Sequence, residues 1–154
     1  MFEAVTDIRF YHLQRATLDE LLPVLLEKAR ERGHRIVVKL GSAERVASLD
    51  TQLWTYRPES FLAHGTASDG EADRQPIWLT TVDENPNSAD MLVLADGATC
   101  AKVDGWAVLC DLFDGNDEEA VAAARSRWTA WKTDGHALTY WQQGPRGWEK
   151  KAAT

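Results

Sequence analysis

A three-layer α/β sandwich, with a mostly parallel sheet flanked by helices, is the fold class that this 154-residue sequence predicts. Three observations carry the expectation. Short β-branched and apolar runs alternate along the chain with longer runs of helical period. Helix-start signals follow the strand-like runs directly. Apolar residues at 44% and charged residues at 27% match an ordinary globular protein, and the length suffices for one full core but not two.

The elements follow in order. DIRFYHL (7–13) reads as the first strand. Thr17 precedes LDELLPVLLEKARERG, with Glu20 in capping-box position and Gly33 as the stop. Pro23 falls about one turn in, where it is tolerated or gives a mild kink. RIVVKL (35–40) is the second strand, and Ser42 opens a second helix, SAERVASLDTQLW, which Arg57-Pro58 ends by pushing the residue before proline out of helical space.

From Leu62 to Gln75 the composition turns to Gly, Ala, Ser, Thr and Asp, a surface loop. PIWLTT and DMLVLADG are the next strands, separated by ENPNS, and WAVLCDLF (106–113) is a buried-type strand after them. NDEEAVAAARSRWTAWKTDG forms the last long helix, with Asn116 as the expected cap, Glu119 completing the box and Gly135 closing it. ALTYWQQ reads as a final strand. The whole is a single Rossmann-like domain over residues 1–154, with 143–154 expected as a flexible tail and no repeat or linker.

Charge narrows the function. A net charge of −7 argues against a protein that grips nucleic acid by neutralising phosphates, so no sequence-specific nucleic-acid binding is expected. The charge is uneven. Residues 121–154 hold six basic side chains against two acidic ones, a local balance of +4 that leaves −11 for the rest. A basic end on an acidic protein suits a small acidic partner, while a merely solvated surface explains the same charges. The start of the chain lacks a basic region followed by an apolar run, and no segment nears the roughly 18 consecutive apolar residues of a membrane span. A cytoplasmic protein without a membrane contact is expected. Cys100 and Cys110 lack metal or redox spacing and read as reduced and structural.

Catalytic signatures are missing. KLGSAERV, the turn after the second strand, has one glycine and matches neither phosphate-binding pattern. The acids of DLFDGNDEE do not alternate as in a calcium loop, and helix capping accounts for most of them. His12, His34, His64 and His136 are scattered, none at metal-ligand spacing, and there is no G-x-S-x-G. No catalytic residue, metal site or cofactor is therefore expected. The alternative is a small nucleotide-binding or hydrolytic α/β enzyme whose site is assembled at the strand ends.

On the last helix Val121, Arg125, Trp128 and Lys132 fall at i, i+4, i+7 and i+11, one stripe with an aromatic body between two cations. Either Trp128 or Trp131 packs into the core. LDTQLWTYRPESFLAH (49–64) concentrates aromatics where a helix meets a loop. Leu49, Leu53 and Tyr56 share a buried stripe, whereas Trp54 and Phe61 fall outside it and suit either a protein interface or a cap on the sheet end.

The succession FYHL, GHRIVVKLGSAERVASLD, LW…PESFLAH, PIWLTT, ADMLVLADG and the R-x-R-W-x-x-W-K helix resembles the chi subunit family of bacterial DNA polymerase III over nearly the whole chain. The resemblance implies a non-catalytic accessory subunit of the clamp-loader complex that binds the acidic, phenylalanine-ended tail of single-stranded DNA-binding protein and holds the psi subunit through a separate surface. Arg125 and Trp128 occupy the family's tail-binding positions, Val121 and Thr129 stand where a well-known member has lysines, and Lys132 and Arg127 are the cations that would compensate. Trp54 and Phe61 match positions near the surface that engages psi or an equivalent partner.

Overall fold

The computed structural model describes residues 5–56 and 62–154. In chain order its elements are β1 (Asp7–Leu13), α1 (Leu18–Glu31), β2 (Ile36–Lys39), α2 (Ala43–Thr55), a short 3-10 turn (Ala72–Arg74), β3 (Ile77–Thr80), β4 (Met91–Leu94), β5 (Val108–Asp114), α3 (Glu118–Thr133), β6 (Ala137–Gly144) and β7 (Gly147–Ala153). The strands form one sheet in the order β3-β2-β4-β5-β1-β6-β7. All neighbours are parallel except β6 and β7. The arrangement is the expected α/β sandwich, consistent with a Rossmann-like fold.

Local chemistry explains the helix starts. Thr17 Oγ1 accepts the Glu20 N–H at 3.2 Å while the Glu20 carboxylate accepts the Thr17 N–H at 3.3 Å, a complete capping box. Pro23 has no N–H to give to the Asp19 carbonyl one turn back, and that carbonyl accepts the Gln52 side-chain amide instead. The proline thus ties α1 to α2. Ser42 caps α2 as expected, accepting the Arg45 N–H at 3.2 Å.

The cap of α3 differs from expectation. Asp117, not Asn116, accepts the N–H groups of Glu119 and Ala120. The Asn116 N–H is still held by the Asp114 carboxylate at 2.9 Å, so the chain is turning there and the helix begins one residue later. Residues 147–153, expected within a flexible tail, are also corrected: they form β7, antiparallel to β6. Gly144 to Gly147 make the turn, Gly147 at φ 117°, and Trp148 then packs edge-on against Tyr11 with ring centroids 5.1 Å apart. The Arg57-Pro58 helix stop lies outside the described residues.

The period-two alternation of β1 separates two cores. Leu13, with Met91, Val93, Cys110 and Leu112, faces α1 and α2, which cover it with Leu22, Leu26, Leu49 and Leu53. Ile8 and Phe10, with Leu109 and Phe113, face α3 through Ala124 and Trp131. The helices of the N-terminal half thus sit on one face of the sheet and the last helix on the other.

Candidate functional site

The outer face of α3 gathers four of the expected residues. Trp131 is the core tryptophan, 7% exposed and 5.6 Å from the Phe10 ring. Trp128 is the peripheral one. It lies half-buried, edge-on to Phe10 at 5.5 Å and to Tyr140 at 6.0 Å, so one side of the indole is seated on the sheet. Arg125 and Lys132 flank it on the exposed side of the helix, and Val121 is partly buried a turn before Arg125.

Arg127 does not join them. Two residues on from Arg125, it points to the other flank of the helix and forks onto Asp111 of β5, Nε to Oδ2 at 2.6 Å and Nη2 to Oδ1 at 3.0 Å. Burial pushes the Asp111 carboxyl above the usual carboxylate range, and Arg127 pulls against that shift. The pair clamps α3 onto the sheet, so the compensating cation expected at position 127 is already engaged.

Beside Arg125 is a shallow depression of about 380 Å³ that includes His12, Gln14, Glu118 and Val121. His12 Nδ1 meets the Tyr140 hydroxyl at 2.5 Å. A side chain at position 115 would place its Cβ 1.9 Å from the imidazole, so only glycine permits the ring to lie there. Burial, reinforced by the Arg125 charge, lowers the His12 pKa and so favours the neutral ring. His12 and Tyr140 were not singled out from the sequence, although the alternation of DIRFYHL puts His12 on the Phe10 side. An acid inside the apolar run LCDLF was likewise the available sign of a buried Asp111.

The second expected surface is at the end of α2. Trp54 is 52% exposed, and its ring lies 4.4 Å from that of buried His64. His64 is held between the Leu62 carbonyl at 2.7 Å and Asp50 Oδ1 at 2.8 Å, which fixes the loop edge under the indole. Phe61 lies outside the described residues.

The carboxyl ends of β1 and β5 frame a cleft of about 570 Å³, where α1 and α3 leave toward opposite faces of the sheet. Its arginines are largely spoken for: Arg127 by Asp111, and Arg45 by Asp19 at 2.9 Å with Asp96 at 3.6 Å. Among the described residues no group of three or more His, Cys, Asp or Glu side chains converges on a possible metal position, and no helix is long and apolar enough to cross a membrane.

Comparison with known proteins follows the same outline. The family described as DNA polymerase III chi subunit, HolC, matches residues 5–139, from two residues before β1 into β6. The chain belongs to this family. A relative from Rickettsia prowazekii (strain Madrid E), called a probable DNA polymerase III subunit chi, is 29% identical over 93 residues, which is 60% of this chain. The chain spans about half the length of that relative, 56% of it. The family match takes in all of α3, Arg125 and Trp128 included, and ends before Tyr140 and β7.

Proposed function

We propose that this chi-family protein is a non-catalytic adaptor of the cytoplasmic replication machinery that links the clamp-loader complex to single-stranded DNA-binding protein. The observation that supports it is the placement of two aromatic surfaces on opposite faces of one sheet: Trp128 with Arg125 and Lys132 on α3, Trp54 on α2. Opposite faces let two partners bind at once.

On α3 the half-buried indole offers an apolar seat for a terminal phenylalanine, and Arg125 can fork onto the free carboxylate, with Lys132 drawing the acids upstream of it. Arg127 acts from beneath, by holding the helix on Asp111. Trp54, with Phe61, engages psi or an equivalent clamp-loader subunit, as an exposed aromatic beside a fixed loop edge does at interface centres. Titration of the protein with full-length single-stranded DNA-binding protein and with a form lacking its acidic tail tests the reading. Binding confined to the full-length form supports it; equal binding by both removes the tail from the account.

A second reading rests on the cleft at the strand ends, the place where open α/β sheets bind small ligands. It predicts stabilisation by a nucleotide in a thermal-shift assay, and the adaptor reading predicts none.

A further inference from the structure

A second basic-rimmed apolar site lies on the sheet face opposite α3, in a slot of about 220 Å³ between α1 and the strands. Its floor is Met91, Val108 and Cys110, and its walls are Leu25 of α1 and Trp148 of β7, the latter braced edge-on by Tyr11. The slot is smaller than the roughly 300–1,000 Å³ of sites that enclose whole cofactors, and suits one or two apolar side chains. Burial pushes the Cys110 thiol up to about 12, so the floor is an apolar surface and not a reactive one.

The rim gives the slot its sign. Arg9, Lys28, Arg32 and His34 line it, and no acidic side chain does, in a chain whose net charge is −7. Arg9 is balanced by Asp7 at 2.9 Å, and His34 Nδ1 is hydrogen-bonded to Asp90 Oδ2 at 2.7 Å. Lys28 and Arg32, both exposed and one turn apart on α1, have no ion-pair partner among the described residues. Two uncompensated cations over an apolar floor complement an apolar residue flanked by carboxylates. The low volume and the absence of acidic lining distinguish this slot from the larger strand-end cleft, where Asp19, Asp96, Asp111, Asp114 and Asp117 line the walls and Arg45 and Arg127 are paired with acids.

We infer that the slot between α1 and β7 is a docking site for an internal acidic segment of a partner protein, which inserts one apolar side chain against Met91 and Cys110 and sets its carboxylates against Lys28 and Arg32. The site uses no chain terminus and shares no residue with the α3 surface, so it stands or falls independently of tail binding there.

The probe is a labelled hexapeptide, Asp-Glu-Leu-Phe-Glu-Asp, acetylated and amidated so that it lacks the terminal carboxylate the α3 surface requires. The full chain should bind it at low ionic strength, shift the Trp148 indole N–H resonance, and ignore the same peptide with lysines in place of its acids. Lys28→Glu combined with Arg32→Glu, two exposed changes on a helix, should weaken binding by roughly tenfold or more through charge reversal, while Arg125→Ala leaves it unchanged. Four results would overturn the inference: no binding by the native chain, undiminished binding by the double variant, loss of binding in Arg125→Ala, or displacement of the peptide from the slot by a single-stranded oligonucleotide.

Discussion

Arg127 and Asp111 meet in a two-pronged contact, 2.6 and 3.0 Å, that sets the rotation of α3 on the sheet. With Arg127 turned inward, Arg125 is turned out and Trp128 is left at the margin. The carboxylate is nearly inaccessible and the guanidinium mostly so, with side-chain exposures of 2% and 18%. Deleting one member of such a pair leaves a buried charge without its partner, which costs roughly 3–5 kcal/mol. Asp111→Ala should therefore lose stability of that order in urea unfolding, and lose tail binding in proportion as α3 comes loose. A shift in midpoint no larger than that of an exposed carboxylate on the same helix would show that the clamp is unimportant.

The two tryptophans of α3 should separate fold from binding. Trp131→Ala removes a ring from the core and should cost about 3–5 kcal/mol. Trp128→Ala, at the margin, should cost clearly less in the same unfolding experiment. Equal losses would place both rings in the core and remove the aromatic seat from the proposed site.

This pair also marks how far the sequence could be read. The capping residues Thr17 and Ser42, and every strand from β1 to β6, were legible because each depends on neighbours a few residues away. The rotation of α3 was not. Its sequence, EEAVAAARSRWTAWKT, is rich in alanine and carries arginines at positions two apart, so no strong apolar stripe announces the buried side. What decides it is a carboxylate seven residues before the helix starts, on a neighbouring strand. The place of β1 between β5 and β6, and the slot beneath Trp148, likewise depend on contacts between residues more than a hundred positions apart.

β7 was hidden for a different reason. Glycine, proline and lysine dominate GPRGWEKKAAT and suggest a solvated end, yet the turn chemistry of Gly144 to Gly147 returns the chain along β6 and brings Trp148 to Tyr11. Trp148→Ala should lower the melting temperature by several degrees, since about 1 kcal/mol corresponds to roughly 2–4 °C in a domain of this size. An unchanged melting temperature would return the segment to the status of a passive tail.

His12 predicts a pH dependence with a definite sign. Its folded-state pKa lies below the ordinary 6.5 because burial and Arg125 both oppose the charged ring, with Asp114 and the Gly115 backbone pulling the other way. Below pH 6.5 the unfolded chain takes up a proton that the folded ring resists, so stability falls as the solution is acidified from about 7 toward 5, with a slope of at most about 1.4 kcal/mol per pH unit for one group. His12→Gln should flatten that part of the profile. A wild-type profile that is level over this range, or one unaffected by the substitution, would contradict the assigned shift.

The most direct test of the adaptor account is a calorimetric titration of the acidic tail peptide of single-stranded DNA-binding protein against the native chain, Arg125→Ala and Trp128→Ala, with a peptide lacking its last phenylalanine as a fourth arm. The account predicts a salt-sensitive complex with the native chain, because screening weakens the Arg125 and Lys132 contribution while sparing the apolar seat. It predicts a loss of tenfold or more, on the order of 2 kcal/mol for a hot-spot side chain, in each of the other three arms. Equal affinity across all four would contradict it and place the tail elsewhere on the protein.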